Sequence, residues 1–466
     1  MRIGNKYKKL LKNIGIFTLG NFGSKIISFL MVPLYTAILS TKDYGTVDLV
    51  STTVQLILPI LTLCIYESTL RFGMDGEYNK EDVLSTSLNI ILKGACVLFT
   101  VILFCSISEI IKVGNEYWAF FLFSFILGAL NNCLGVYLKT INRTSVIAIS
   151  GIGCTFLTCA CNIVFLVFLD FGINGYMISN VIGILFQVLY QLIVGKIYND
   201  IHIKRYNNLY KPMLAYSIPL IANAIAWWIN NVSDRYILTA FQGVDISGIY
   251  SVSYKIPTIL TTVQSVFYSA WSISAIAEFN ERDEDGFIGN NYSLYSSASA
   301  ILCALLVLMN IPMARVLYSG DYFIAWKCVP FLLVGTILNG MAQFEGTLFA
   351  AAKRTKMVSS TTIIGAIINT VLNIILIPNF SAVGAAIATM VGYGCTWLLR
   401  TLFMQKFVKM KVNWVTNSIV ILLLIAQAVM ATLDAFYFLQ IIVLLFVVFM
   451  YKDYLRKALL LFKCPK

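Results

Sequence analysis

Charged residues are scarce in this chain. They make up 12% of its 466 residues, against about 25% in ordinary soluble domains, while hydrophobic residues reach 59%. That much apolar surface cannot be enclosed in one water-soluble particle, so lipid must solvate most of it. No polar stretch is long enough to fold separately, which excludes a cytosolic catalytic or ATP-binding module. The composition therefore predicts an all-α polytopic membrane protein.

Metal-ligand patterns are also lacking. The single histidine, His202, lies in a basic loop, where we expect it to be solvated. The eleven cysteines lie almost entirely in apolar stretches, and Cys154, Cys159 and Cys161 have no accompanying histidine or further cysteine pair. Such cysteines are typical of small apolar packing residues. We expect neither a metal nor a cofactor.

The N-terminal region lacks the features of a cleavable signal peptide. Its basic residues precede a hydrophobic stretch over 14–39, whereas a signal peptide has an apolar region of about 7–15 residues and a small-residue cleavage site. We interpret this stretch as a permanent first helix.

Long hydrophobic runs dominate the rest of the sequence. A spanning helix needs about 20 mainly apolar residues, and on that rule we predict about fourteen. They cover 13–39, 45–72, 83–108, 117–139, 146–169, 173–196, 212–241, 246–278, 287–317, 322–352, 357–378, 382–406, 413–433 and 435–452.

Basic residues predict the orientation. With the N-terminus inside, most of the 34 Lys and Arg residues fall in cytoplasmic segments, as the positive-inside rule requires. Both termini are then cytoplasmic. Topology also accounts for the net charge of +12, because the basic residues form scattered loop clusters beside membrane helices. We expect no nucleic-acid partner.

The chain repeats itself weakly but in order. Gly135, Arg143-Thr144 and Asn162 recur 211 residues later as Gly346, Arg354-Thr355 and Asn373. Two further sets of matches have nearly the same spacing: Gly175 and Gly183 recur at 209 as Gly384 and Gly392, and Thr36-Ala37 and Gly45 recur at 203 as Thr239-Ala240 and Gly248. A nearly constant offset over many positions, kept in order, indicates an internal duplication.

The duplication predicts the architecture. Each copy has six helices, and an even number of spans returns the chain to the side on which it started. Both copies therefore enter the membrane from the same side, which predicts two lobes related by an axis along the membrane normal. We assign 1–205 to the first six-helix lobe, 206–410 to the second, and 411–466 to an extra helix pair and a cytoplasmic tail. A central cavity between the lobes is the expected binding site.

A polar stripe follows predicted helix 246–278. Its members recur every three or four residues and would share one face: Ser247, Ser251, Lys255, Thr258, Thr262, Ser265, Ser269 and Ser272. Predicted helix 45–72 carries a comparable row: Asp48, Thr52, Gln55, Pro59, Thr62, Tyr66 and Thr69. We expect both rows to face a shared polar cavity. Helix packing is the competing explanation, because Ser and Thr are common at membrane helix contacts.

Ionisable residues inside membrane segments are candidate functional residues, because each is costly unless solvated or paired. Four basic residues would give the cavity a positive field suited to a diphosphate: Lys25, Arg71, Arg235 and Lys255. We expect the polar lining to include Gln55, Asn230, Asp234, Ser251, Thr258 and Thr262. Glu67 and Glu345 are candidates for ion coupling. A structural Glu67–Arg71 ion pair and packing polarity at Glu345 remain alternatives.

The ordered motifs resemble a known family. Asn21-Phe22, Phe29 to Leu34 and Asp43-Tyr44-Gly45 resemble the start of the polysaccharide (Wzx-type) flippases of the multidrug/oligosaccharidyl-lipid/polysaccharide exporter superfamily. Further landmarks are Glu67 to Phe72, Asp234 to Leu238, Gly248 to Lys255 and Gly384 to Thr389. The resemblance covers nearly the whole chain.

The resemblance implies alternating access by two six-helix lobes around a cationic lumen. The implied cargo is an undecaprenyl-diphosphate-linked oligosaccharide, flipped from the inner to the outer leaflet of a bacterial cytoplasmic membrane. Membrane lipids, a glycan polymerase and glycosyltransferases are the expected partners. Fourteen spans exceed the superfamily's usual twelve, and because peptidoglycan-precursor flippases also have fourteen, that precursor is an alternative cargo.

Two other classes remain as alternatives. A multidrug/cation antiporter of the same superfamily would share the fold but should have an acidic lobe site. A membrane enzyme could use Asp283-Glu284-Asp285 as a metal motif, although that run is typical of a solvated loop. We expect a transporter and no catalytic residue.

Overall fold

The computed structural model describes residues 23–108, 114–202, 207–277, 279–284, 286–352 and 354–452. Helices account for most of them, and these residues contain no β-strand. The predicted all-α class is confirmed. The basic N-terminal residues and the predicted tail beyond residue 452 lie outside the described residues.

The chain forms two compact units, Met1–Trp228 (unit 1) and Ile229–Lys466 (unit 2). The helices α1 to α7 of unit 1 are Gly23–Ile38, Thr41–Leu61, Ile65–Met74, Lys80–Ser108, Asn115–Thr140, Thr144–Asn162 and Gly172–Val194. Helix α8, Asn207–Gln242, begins in unit 1 and ends in unit 2. The helices α9 to α16 of unit 2 are Val244–Ser253, Pro257–Ala277, Phe287–Leu308, Asn310–Leu317, Val329–Ala351, Thr355–Met404, Trp414–Thr432 and Tyr437–Met450.

These helices make the protein a multi-pass membrane protein. Nine helices of the described chain are long and apolar enough to span a membrane, or ten if the bent pair Gly320–Lys327 and Val329–Ala351 forms one span. The predicted count of fourteen is therefore not confirmed. The predicted lobe boundaries at 205 and 410 stay a prediction.

Helix breaks divide several predicted spans. The predicted helix 45–72 is two helices, because the chain turns at Thr62 to Cys64, where Leu63 and Cys64 have positive φ. The predicted helix 246–278 is divided between α9 and α10 by the turn at 254–256. Pro257 follows this turn, and a proline cannot donate the backbone hydrogen bond that would continue the first helix. The predicted spans 357–378 and 382–406 meet inside α14 at a break centred on Ser381.

Side-chain caps set other helix ends. Ser40 accepts a hydrogen bond from the backbone N–H of Asp43 at the start of α2. Asp283, from the acidic run considered as a metal motif, is buried and accepts from the backbone N–H groups of Ile288 and Gly289, both at 2.9 Å. Asp283 therefore serves the start of α11 (Phe287–Leu308) as a capping residue.

The predicted repeat has matching local geometry in the two units. Arg143 precedes α6 with φ −104° and ψ 45°, and Arg354 precedes α14 with φ −105° and ψ 44°. Each backbone N–H donates at 2.8 Å to the carbonyl five residues earlier, Leu138 in unit 1 and Phe349 in unit 2. The same turn thus joins equivalent helices in both units.

Repeated glycines allow close helix packing. A Cβ at Gly183 would collide with Thr158 on the neighbouring helix α6. A Cβ at Gly392 would lie 2.7 Å from Asn369 Cβ and 3.1 Å from Gly365 O, across the two arms of α14. The equivalent helices therefore approach each other closely in both units.

We expect Gly183→Val and Gly392→Val each to destabilise the protein by about 1–3 kcal/mol, because a side chain there must displace the neighbouring helix. Thermal unfolding in detergent, followed by loss of monodisperse protein, measures this effect. Gly135→Ala is the matched control, because a Cβ at Gly135 meets nothing within 4 Å. Unchanged midpoints for both valine variants would contradict the packing argument.

Candidate substrate-binding site

Four predicted site residues lie in unit 1. Lys25 on α1 and Gln55 on α2 are exposed, and Glu67 on α3 is half-buried. Arg71, also on α3, forms an ion pair at 3.5 Å with Asp75, one turn further on, and its side chain is 60% exposed. Arg71 is thus oriented by Asp75, while most of its guanidinium surface stays accessible.

Lys255 occupies the break between two helices of unit 2. It lies in the turn between α9 and α10, and its side chain is half-buried. In such a turn the backbone leaves the helical path, so the side chain is not confined to one helix face. The break also means that the predicted polar stripe does not follow one continuous helix.

The hydroxyl row on α10 hydrogen-bonds to its own helix. Thr262 Oγ1 donates to Thr258 O at 2.6 Å, Ser265 Oγ to Thr262 O at 2.7 Å, and Ser269 Oγ to Ser265 O at 2.8 Å. Thr258, Ser265 and Ser269 are exposed, whereas Thr262 is buried. Because the donors are satisfied, the row costs less in lipid than the sequence pattern implied. The hydroxyl oxygens can still accept hydrogen bonds from a ligand.

Asp234 is the centre of a buried polar cluster in unit 2. Only 4% of its surface is exposed. Its Oδ2 accepts from Tyr250 Oη at 2.6 Å, Tyr254 Oη at 3.2 Å and Thr389 Oγ1 at 3.4 Å. Its Oδ1 accepts from the backbone N–H of Arg235 at 2.9 Å. Four donors therefore compensate for much of the desolvation of this carboxylate.

The cluster continues into α14. Asn369 Nδ2 donates to Thr389 Oγ1 at 3.3 Å, and Asn373 Nδ2 donates to Asn369 Oδ1 at 2.8 Å. Both asparagines are buried. Sequence reasoning identified Asn373 only as a repeat position, and Asn369 lies one helical turn before it on the same face. The hydrogen bonds from α9 and α14 to Asp234 on α8 appear only in the folded chain.

Burial distinguishes the predicted lining residues of unit 2. Asp234 and Ser251 are each 4% exposed, Thr262 6% and Asn230 9%. These four side chains are therefore enclosed in this structure, and their role as cavity lining stays a prediction. Thr258 alone of this unit's predicted lining is exposed. Asp234 is buried because the hydroxyl groups of neighbouring residues cover its carboxylate.

Arg235 points to a different neighbour from Asp234. Its guanidinium carbon lies 5.5 Å from the centroid of the Tyr254 ring, within cation–π distance. Tyr254 precedes Lys255 and also donates to Asp234. Tyr254 thus contacts both the buried carboxylate of Asp234 and the guanidinium of Arg235, a predicted diphosphate-binding residue.

Glu345 forms a second buried acidic position, on α13. It is 0% exposed, and its Oε1 accepts from Thr401 Oγ1 at 2.7 Å. Tyr292 and Trp397 also lie close to this carboxyl group, but its Oε2 makes no hydrogen bond of standard geometry with the described atoms. Neighbouring Arg400 donates to neutral acceptors, including Thr361 Oγ1 at 3.1 Å and Thr362 Oγ1 at 2.8 Å. One oxygen of a fully buried carboxylate is thereby left for a proton or another small cation.

Comparison with known proteins identifies the family. The family model described as "Polysaccharide biosynthesis protein" matches residues 10–273, more than half of the chain. The chain belongs to this family. This match confirms the predicted relationship to proteins of polysaccharide biosynthesis.

A curated relative is "Probable low-salt glycan biosynthesis flippase Agl15" of Haloferax volcanii. The two are 22% identical over 222 residues, or 46% of this chain and 47% of that protein. The match thus spans about half the length of the relative.

Solved structures share the fold. The lipid II flippase MurJ, in an inward closed conformation, aligns with a TM-score of 0.72 and 14% identity over 95% of this chain and 99% of MurJ. An inward-facing multidrug resistance MATE transporter aligns with a TM-score of 0.62 and 12% identity over 84% of this chain and 94% of the transporter. The polysaccharide biosynthesis family member therefore has the fold common to both groups.

We expect Tyr250→Phe to lower stability by about 1–3 kcal/mol, because it removes the shortest hydroxyl bond to a buried carboxylate. Thermal unfolding of purified protein measures the loss. Tyr393→Phe is the control, since its hydroxyl donates at 3.1 Å to Asn231, which is exposed to solvent or lipid. Equal midpoints for Tyr250→Phe and the parent protein would show that Asp234 is not stabilised by this bond.

Proposed function

We propose that this protein flips undecaprenyl-diphosphate-linked oligosaccharide units from the inner to the outer leaflet of a bacterial cytoplasmic membrane. The observation that carries the proposal is the polysaccharide biosynthesis family match over residues 10–273. The name of the matched relative, a glycan biosynthesis flippase, supports the same activity. The fold shared with MurJ and MATE transporters supports alternating access as the mechanism.

Basic side chains supply the chemistry that a diphosphate needs. Its charge cannot enter hydrocarbon unpaired, because burying an isolated ion is prohibitively costly. Lys25, Arg71, Arg235 and Lys255 would pair with the phosphate oxygens in a hydrated cavity, through charge-assisted hydrogen bonds. The accessibility of Lys25 and Arg71 and the position of Lys255 in a helix break support this role. The lipid tail would remain in the bilayer.

Orientation and partners belong to the same proposal. Both termini would lie in the cytoplasm, where the lipid-linked glycan is assembled, and the exposed hydroxyl groups of α10 would accept from sugar hydroxyls. A glycosyltransferase would supply the substrate, and a glycan polymerase would consume it outside.

Glu345 is our proposed ion-coupling residue, with Glu67 as a second candidate. The free Oε2 of Glu345 supports the first assignment, since binding a proton or cation there would compensate for burying the charge. Glu67 is half-buried on α3, near Arg71.

The cellular test measures lipid-linked glycan in a strain lacking the protein. One intermediate should accumulate, shielded from a membrane-impermeant glycan-modifying enzyme, and should become accessible when the gene is restored. Accumulation of a peptidoglycan precursor would assign that alternative cargo. An unchanged lipid-linked pool would refute flipping, and a drug-efflux assay would then test the antiporter alternative.

We expect Lys255→Ala and Arg71→Ala to abolish glycan exposure while the protein stays in the membrane, because each removes a counter-charge for the diphosphate. Lys93→Ala is the matched control. Lys93 lies 4.7 Å from the centroid of the Tyr210 ring and donates to its hydroxyl at 3.4 Å, so a local packing role accounts for it. Full activity in both test variants would refute the basic-cavity mechanism.

We expect Glu345→Gln to uncouple transport from its ion gradient, because the amide is neutral and cannot exchange a proton. Proteoliposomes loaded with lipid-linked glycan, with a proton or Na⁺ gradient imposed separately, provide the measurement. Passive equilibration should persist while acceleration by the gradient is lost. An undiminished gradient response would exclude Glu345 as the coupling residue.

A further inference from the structure

A polar pocket lies inside unit 1, where α5, α6 and α7 meet α3. Its volume is about 320 Å³, at the small end of the roughly 300–1,000 Å³ range of ligand pockets. The polar residues that line it are Asn131, Asn132, Gln187, Gln191, Tyr66 and Lys139. All lie near the end of the unit that contains the α5–α6 turn. In the predicted orientation that end faces the cytoplasm.

Gln191 organises the buried side of this pocket. It is 1% exposed, and its Nε2 donates to Asn131 Oδ1 at 3.0 Å and to Ser150 Oγ at 3.3 Å. The side-chain oxygen of Asn131 therefore accepts from Gln191, whereas its amide group remains available to donate to a ligand. Gln191 Oε1 has no hydrogen-bond partner among the described atoms. This oxygen is closed to solvent, so the groups that face the pocket are the amides of Asn131, Asn132 and Gln187.

The internal repeat identifies the residues of unit 2 that are equivalent to those around the unit 1 pocket. The 209-residue offset relates Gln191 to Arg400, and the 211-residue offset relates Asn131 and Ser150 to Ala342 and Thr361. Arg400 donates to the backbone carbonyl of Ala342 and to Thr361 Oγ1, so contacts join the same positions in the two units, although Gln191 donates to the side chain of Asn131. Arg400 also donates to Val358 O at 3.4 Å, and Val358 corresponds to the pocket residue Ile147.

Two equivalent glycines, Gly346 and Gly135, show that this space is filled in unit 2 and open in unit 1. A Cβ on Gly346 in unit 2 would lie 2.9 Å from a guanidinium nitrogen of Arg400. A Cβ on the equivalent Gly135, which lines the unit 1 pocket, would meet nothing within 4 Å. The shorter Gln191 thus leaves open the volume that Arg400 occupies in the other repeat.

We propose that this unit 1 pocket is a sugar subsite for the lipid-linked glycan, which rests on the proposed flippase function. The ligand must be rich in hydrogen-bond donors, because the donor-rich guanidinium of Arg400 fills the equivalent place in unit 2. It must also be small and polar, because the volume suits a single ring and amides outnumber the one cationic lining residue, Lys139. A sugar with hydroxyl and acetamido groups meets these conditions. Tyr66 supplies an aromatic ring among the lining residues.

Binding of two lipids by the purified full-length protein tests the subsite. The probes are undecaprenyl diphosphate carrying one N-acetylhexosamine and undecaprenyl diphosphate without sugar. The parent protein should bind the sugar-bearing lipid about tenfold more tightly, as one or two additional hydrogen bonds would give. Gln191→Arg should remove this preference by filling the pocket, while affinity for the sugar-free lipid is unchanged.

Gly135→Val is a second filling variant, placed where a side chain meets open space, and it should also abolish the preference. Lys93→Ala, outside the pocket, should keep it, and thermal midpoints verify folding. Preference retained in both filling variants, or absent from the parent protein, would overturn the subsite and leave the flippase proposal standing. Failure of the parent protein to bind either lipid would overturn both.

Discussion

Backbone hydrogen bonding in lipid is the constraint on which this structure depends. A peptide group in hydrocarbon finds no water, so each N–H and C=O must be paired within the protein, and helices satisfy that requirement locally. Where the chain leaves the helix at Thr62 to Cys64, the backbone N–H of Cys64 still donates to Pro59 O at 3.0 Å. Helix breaks therefore need compensating hydrogen bonds: at the break 254–256, the N–H of Lys255, a candidate for substrate binding, donates to Val252 O at 2.9 Å.

The repeat supplies two copies of a scaffold whose side chains have diverged. The turns at Arg143 and Arg354 have nearly identical backbone angles, and the packing glycines Gly183 and Gly392 both bring helices together. On that shared backbone, Arg400 fills a space in unit 2 that Gln191 leaves open in unit 1. A shorter side chain at this position thus accompanies an open pocket in unit 1 without a change of fold.

Unit 2 has its own specialisation, two buried carboxylates with different environments. Asp234 receives three hydroxyl hydrogen bonds and one from the backbone, whereas one oxygen of Glu345 receives none among the described atoms. The first arrangement holds α8, α9 and α14 together around a satisfied charge. The second leaves one carboxyl oxygen without a hydrogen bond, and this difference separates our structural assignment of Asp234 from the coupling role proposed for Glu345.

The sequence by itself determined the class of the protein, because hydrophobic run length and polar periodicity are local properties that the bilayer imposes. It also revealed the duplication and the family resemblance, and it located Asp234, Glu345 and Lys255 as costly residues in apolar segments. Only the tertiary structure decided which of them are enclosed and by what: the hydroxyls around Asp234 come from segments up to 155 residues away. The open pocket at Gln191 likewise depends on the volume left between packed helices, which no spacing along the chain records.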